Sequence, residues 1–276
     1  MDHAFFESTL TDVWDMAPVD RSFDPNKVQE YLAKLEEADS SFIRELLNKT
    51  MYISYVEFKQ SLLQSFELFR REIAGDEFSL MLPVDRIGSE HWLTALLWPE
   101  LRTMNVKSHS RDILIIDDAI YCGIRTVETI GKIIKVADRN MHFHLVIPYV
   151  TEGGSEYVMA TCKGNNMRCT IYNIHRCLPL NTLMDIGKYY PNPRPDSTAP
   201  EDYYEDYLVI LLYQKFGILG LDNPAIYFDH KVANNRSTFA SIYLQGRLPD
   251  GSSYGSLFKV DPSREKIEEL SKYVNK

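Results

Sequence analysis

Residues 113–126 read Ile113-Leu114-Ile115-Ile116-Asp117-Asp118-Ala119-Ile120-Tyr121-Cys122-Gly123-Ile124-Arg125-Thr126. Four branched apolar residues run into two adjacent carboxylates, and a short loop with one glycine follows before a helix-like pattern. A short apolar run of this kind reads as a buried strand of a parallel sheet. In an open α/β sheet, ligands sit just outside the carboxyl ends of the strands. Two acids at that place suit sugar hydroxyls or a hydrated metal ion. The free amides of a loop that opens a helix suit a phosphate. Asp117, Asp118 and the loop 121–126 are therefore the first candidate site residues.

The alternation of strand and helix extends on both sides of this stretch. Upstream, Phe78-Ser79-Leu80-Met81-Leu82-Pro83-Val84 predicts a strand, and Gly88-Ser89 opens a helix carrying Trp92, Leu93, Leu96, Leu97 and Trp98. Downstream, the pattern predicts a helix over 125–137, a strand over 143–150, a helix near 154–162 and a strand over 168–174. Such alternation implies βαβ units and a mostly parallel sheet. Ahead of it lies a helical section. Asp24 as N-cap and Pro25 at the first helical position start one helix, with Val28, Tyr31, Leu32 and Leu35 on one face. A second helix covers 40–50 with Phe42, Ile43, Leu46 and Leu47 apolar. A third runs over 52–74, where Tyr55, Phe58, Leu62, Phe66, Phe69 and Ile73 keep helical spacing.

The expected fold class is α/β, divided into a helical N-terminal section over 1–76 and an α/β domain with a C-terminal extension over 77–276. In that extension Pro191, Pro193, Pro195 and Pro200 mark a loop, and the acidic, tyrosine-rich 201–207 leads into a helix ending near Gly217. Ala225-Ile226-Tyr227-Phe228 predicts a strand, 239–245 another, and 263–274 a short helix.

Composition narrows the function classes. With 276 residues, 45% apolar and 25% charged, the chain reads as a soluble globular protein. Thirty basic against 39 acidic residues, a net charge of −9, argues against a nucleic-acid partner. No apolar run approaches the ~18 residues that span a bilayer, so no membrane partner is expected. The start, Met1-Asp2-His3-Ala4-Phe5-Phe6-Glu7, lacks the basic and apolar segments of an export signal. The four cysteines, Cys122, Cys162, Cys169 and Cys177, form no C-x-x-C pair, so a zinc site built from cysteines is not expected. A cytoplasmic location with reduced thiols is the expectation.

In order and spacing, Asp117, Asp118, Ala119, Ile120 and Gly123 resemble the type I phosphoribosyltransferases, which carry an apolar strand, two acids, two or three variable positions and a Thr-Gly loop before a helix. Gly88-Ser89 sits where that family has its pyrophosphate loop. Ile226-Tyr227-Phe228-Asp229-His230-Lys231-Val232-Ala233-Asn234-Asn235 resembles a late strand and His-Lys segment in a divergent branch of phosphoribosyltransferase-like proteins from bacterial conflict systems. The resemblance spans roughly 78–235. It implies a sheet of phosphoribosyltransferase type that binds phosphoribosyl pyrophosphate or a nucleotide with Mg²⁺. Asp117 and Asp118 would be the catalytic residues, holding the ribose hydroxyls and meeting Mg²⁺ indirectly through the ligand. Tyr121, Cys122, Gly123, Ile124, Arg125 and Thr126 would hold the 5′-phosphate, Gly88 and Ser89 the pyrophosphate, and Lys231 a base oxygen. If active, such a protein transfers ribose 5-phosphate to a nitrogen nucleophile.

The chain departs from that family at Tyr121, at Cys122 and in the interval before Asp117. An acid or Thr often stands where this chain has Tyr121, and Thr where it has Cys122. Tyrosine, with an ordinary pKa of ~10, is a poor base at neutral pH, and cysteine is a weak hydrogen-bond donor. Gly88 and Asp117 are 29 positions apart, an interval in which active members usually fit another strand and a long catalytic loop. The alternative is a catalytically inactive nucleotide-sensing or protein-interaction module on the same fold, with the helical section meeting a protein partner.

Two other patterns are present in the sequence. The acidic pair of a response-regulator receiver also follows an apolar strand, but a receiver needs a phosphoacceptor Asp at the end of its next-but-one strand. The strands over 143–150 and 168–174 end without one. His142 and His144 alternate on a strand and share a face, yet two histidines with no third ligand near in sequence are weak evidence of a metal.

Overall fold

Asp24 opens the first helix, α1 (Pro25–Leu32), by accepting the amides of Asn26 and Lys27 at 2.9 and 3.5 Å. Pro25 takes a first-turn position, where its missing N–H costs nothing. In this computed structural model, residues 22–81, 89–134, 140–193, 201–218, 220–228, 231–232 and 239–259 are described, apart from the side chains of 89–92, 201–202 and 231–232. Helix α2 (Glu37–Lys49) buries Phe42, Ile43, Leu46 and Leu47. A short strand, β1 (Met51–Ile53), precedes α3 (Tyr55–Ile73), whose buried stripe includes Phe58, Leu62, Phe66, Phe69 and Ile73. Gly75, at φ +96, turns the chain out of α3 in the left-handed region, which a glycine enters without a Cβ penalty.

The elements that follow are β2 (Phe78–Leu80), α4 (Ser89–Leu101), β3 (Val106–Lys107), β4 (Asp112–Ile116), β5 (Ala119–Ile120), α5 (Ile124–Ile134), β6 (His142–Val146), β7 (Tyr149–Thr151), α6 (Glu152–Gly164), β8 (Arg168–Tyr172) and β9 (His175–Cys177). Five strands pair in the order β3-β2-β4-β6-β8, all parallel. Counted along the chain this is 2-1-3-4-5, a doubly wound order. The strands β5, β7 and β9 carry β4, β6 and β8 onward past two-residue breaks at 117–118, 147–148 and 173–174. They pair in the same order and again in parallel. The breaks are level across the sheet, because Ile116, Val146 and Tyr172 are register partners and so are Ala119, Tyr149 and His175.

Alternation along the strands supplies two apolar faces. Ile113, Ile115, Phe143 and Leu145 form one core with Ile130 of α5 and Val158 and Cys162 of α6. The other face meets α3, where the Phe69 ring lies 5.2 Å from Phe78, 5.4 Å from His144 and 5.7 Å from Tyr172.

The chain forms two compact units. Of the described residues, the first holds 56–177 and the second holds 22–55 and 178–259. The second adds α7 (Leu180–Leu183), α8 (Glu201–Phe216), β10 (Ile226–Phe228), β11 (Lys231–Val232) and α9 (Ala240–Tyr243) to α1, α2 and β1. Its sheet has the order β1-β10-β11, with β10 parallel to β1 and antiparallel to β11. Its core gathers Tyr31, Phe42, Leu46, Leu212, Phe216, Tyr227, Tyr243 and Phe258. Asp39 is buried there, accepting from the Tyr190 hydroxyl and the Lys215 ammonium, each at 2.8 Å.

The α/β class with mostly parallel strands matches the expectation, and several details differ from it. These units do not divide the chain at 76: α3 belongs with the parallel sheet, while α1 and α2 join the C-terminal third. The strand at 226–228 pairs with β1 rather than entering the parallel sheet. The strands expected over 143–150 and 168–174 are each interrupted, β1 and β3 were not foreseen, and α9 stands where a strand was expected over 239–245. The region before residue 22 and the helix expected over 263–274 lie outside the described residues. Among the described residues no helix is long and apolar enough to cross a membrane.

Candidate functional site

The order β3-β2-β4-β6 makes the chain leave β2 toward one side of the sheet and β4 toward the other. The crevice at the carboxyl ends of β2 and β4 is therefore the topological switch point, where doubly wound sheets hold ligands. Asp117 and Asp118 occupy the break that follows β4. They do not end the strand, as expected, since β5 carries it on. The Asp117 amide donates to Val146 O at 3.2 Å, which keeps the break tied to β6. The Asp117 carboxylate accepts the Asp118 amide at 2.8 Å. Asp118 is 2% exposed, whereas Asp117 is half-buried.

The loop between β5 and α5 is anchored from α6. The Tyr121 carbonyl accepts the Thr151 hydroxyl, and the same hydroxyl oxygen accepts the Gly154 amide at 3.1 Å. Gly123 sits at φ +76, and a Cβ there would lie 2.6 Å from Gly154 O and 3.0 Å from Val158 Cγ2. Glycine is thus required both by conformation and by close packing. Its carbonyl accepts the Val127 amide at 2.9 Å, so Gly123 starts α5 and the next amides begin the helix. Cys122, Ile124 and Arg125 are exposed, and Thr126 is buried.

Tyr121 is the residue whose state the structure defines best. Its hydroxyl is buried and has no hydrogen-bond partner among the described residues. Burial pushes it well above its ordinary 10.0, and the charges of Asp118, Cys177 and Asp117 push it further. Cys177 is buried as well, which raises its thiol to about 12. The fold thus brings Asp117, Asp118 and Tyr121 together at the mouth of α5.

Other expected site residues fall elsewhere. Gly88 lies outside the described residues, and Ser89 is placed only as the start of α4. Lys231 belongs to β11, in the sheet of the second unit. Tyr227 and Phe228, in the strand that precedes it, are 2% and 0% exposed. Tyr227 is packed among Phe23, Tyr52, Tyr243 and Phe258, so this pair is core. Between Leu101 and Asp112 the chain has only β3 and short links, with no long loop.

A second constellation lies at the amino ends of β4 and β6, five strand residues, roughly 16 Å, from the acid pair. Glu72 of α3, His142 and His144 each offer a donor atom, all within 4.8 Å of one another, and could hold a metal ion. His144 is 2% exposed. Its Nε2 lies 2.9 Å from Asp112 Oδ1 and its Nδ1 2.7 Å from the Tyr172 hydroxyl. His142 Nε2 lies 2.8 Å from Thr170 Oγ1, and its Nδ1 3.4 Å from Asp112 Oδ1. The sequence showed the two histidines on one face. The third donor, Glu72, is an exposed helix acid that only the fold brings near them.

Compared with known proteins, the chain matches no family profile and no curated sequence.

Proposed function

We propose that the first unit binds a phosphoribosyl compound, phosphoribosyl pyrophosphate or a nucleotide, at the break between β4 and β5. The observation that carries this reading is the acid pair Asp117-Asp118 at the switch point of the sheet, followed within six residues by the start of α5. The two carboxylates would accept the ribose hydroxyls. The first amides of α5, at the positive end of its dipole, would hold the 5′-phosphate, with exposed Arg125 adding charge. The donors are carboxylate oxygens, which suit the hard ion Mg²⁺. Carried by the ligand, Mg²⁺ would neutralise pyrophosphate charge.

Binding without transfer is the form we favour, and Tyr121 is the reason. A hydroxyl held well above its ordinary range stays protonated at neutral pH, so it cannot serve as the general base. The short links around β3 add support, since they leave no room there for a long catalytic loop. This points to a nucleotide-sensing module.

The test is calorimetric titration, with Mg²⁺, of ribose 5-phosphate against 2-deoxyribose 5-phosphate. Loss of one hydroxyl bonded to a carboxylate costs about 1.5–3 kcal/mol, so the deoxy sugar should bind at least about tenfold more weakly. Equal affinities would contradict the proposed role of the acids. Pyrophosphate release from phosphoribosyl pyrophosphate with a panel of bases, abolished by Asp118→Asn, would instead establish a transferase.

A further inference from the structure

The layer between α3 and the sheet is built from Phe69, Phe78, Leu114 and Tyr172, yet it contains His144 at 2% exposure. A buried imidazole in such a layer needs polar partners. His142 stands beside it, the two ring centroids 3.9 Å apart. One nitrogen of each ring and one Glu72 oxygen lie within 4.8 Å of one another. Neutral imidazoles are the metal-binding form. Glu72 enters from the other side of the layer, on α3, and is exposed, which leaves an ion a route from solvent.

We propose that Glu72, His142 and His144 form a binding site for a borderline divalent transition ion of the Zn²⁺ class, joining α3 to β6. Two nitrogens and one carboxylate are a donor set that such ions prefer and Mg²⁺ does not. Asp112 already takes one nitrogen of each ring, Nε2 of His144 and Nδ1 of His142. This leaves His144 Nδ1 and His142 Nε2 as the ligating atoms, with Asp112 orienting the rings from behind as carboxylates do at zinc–histidine sites. The hydroxyls of Tyr172 and Thr170, now bonded to those two nitrogens, are the groups the ion displaces. Around a tetrahedral zinc with bonds of ~2.0–2.1 Å, ligand atoms stand about 3.3 Å apart. One donor atom of each of the three residues already lies within 4.8 Å of the others, so side-chain rotation has about 1.5 Å to close toward that spacing. Glu72 and Asp112 together balance the charge of a divalent ion. The site lies at the opposite end of β4 from Asp117 and Asp118, so its occupancy is independent of the phosphoribosyl reading.

The experiment titrates the full-length, chelator-stripped chain with Co²⁺ and with Zn²⁺ in competition with a chromophoric chelator. One equivalent of Co²⁺ should give the visible bands of a low-symmetry nitrogen–oxygen site, and Zn²⁺ should displace it. Glu72→Gln keeps an oxygen that can accept the Tyr172 hydroxyl Glu72 bonds and should keep the parent thermal midpoint without metal. It should weaken Zn²⁺ binding by at least about tenfold and lose the Zn²⁺-induced rise in thermal midpoint that the parent shows. His142→Gln should do the same. Absence of stoichiometric Co²⁺ or Zn²⁺ binding at micromolar metal overturns the proposal, as does binding that both variants retain at parent strength.

Discussion

Replacing Gly123 by alanine tests how the candidate loop is held. Two costs add. At φ +76 a Cβ is strained, which costs about 1–2 kcal/mol. The new methyl also falls 2.6 Å from the Gly154 carbonyl and 3.0 Å from Val158 Cγ2. One of these contacts is backbone, so either the first turn of α6 or the loop must move, and overpacking of this kind costs about 1–3 kcal/mol. Together they amount to about 2–5 kcal/mol. At ~1.36 kcal/mol per factor of ten, amide exchange in α5 should accelerate roughly 30-fold to 5,000-fold. Hydrogen exchange with mass spectrometry reads this directly on peptides covering Ile124–Ile134. Gly131 is the control: it lies in the same helix, and a Cβ there meets nothing within 4 Å. Gly131→Ala should slow exchange a few-fold, since alanine is favoured over glycine in a helix by about 0.5–1 kcal/mol. If Gly123→Ala exchanges no faster than the parent, the tight approach of the loop to α6 is not what holds it.

Other outcomes follow from the same structure. In native protein a small alkylating reagent should label exposed Cys122 within minutes at pH 8, while buried Cys177 stays unlabelled. Because folding raises the Cys177 thiol from 9.0 to about 12, the unfolded chain releases that proton first, so stability is full below pH 9 and declines from pH 9 toward 12. Urea denaturation against pH should show a smaller alkaline loss in Cys177→Ala than in the parent. In the second unit, Asp39→Ala leaves the Tyr190 hydroxyl and Lys215 without their buried acceptor. Because Lys215 keeps 26% exposure, the cost should sit near the lower end for a broken buried pair, about 3 kcal/mol by urea denaturation. A loss below ~1 kcal/mol would show that the pair contributes little.

Local chemistry wrote many elements of both units into the sequence. The Asp24-Pro25 start, the stripes of α2 and α3, and the apolar runs of β4 and β6 were legible because each depends on neighbours a few residues away. The break at Ile147-Pro148 is not legible, since apolar residues continue on both sides of it, and β9 beyond Asn173-Ile174 is hidden because His175 and Arg176 carry no apolar strand pattern. Met51–Ile53 was hidden because Tyr52 and Tyr55 prolong the helical period of α3. Its true partner, Ile226–Phe228, is far along the chain, and no local pattern records such a pairing. That distance also explains why the second unit, built from 22–55 and 178–259, is not legible in the sequence. The acid pair was legible as a site, and its burial and Tyr121 neighbour were not. Glu72 carried no signal at all: on α3 it is one exposed acid among several, and its meaning comes only from β6.

The central claim is that Asp117 and Asp118 hold a phosphoribosyl ligand at the switch point of the sheet. Calorimetric titration of phosphoribosyl pyrophosphate with Mg²⁺ into the full chain, in parallel with Asp118→Asn, tests it most directly. The account predicts one site per chain for the parent and an affinity at least about tenfold lower for the variant, the effect of removing a charged hydrogen-bond acceptor. No heat at millimolar ligand, or the same affinity in both proteins, would contradict it.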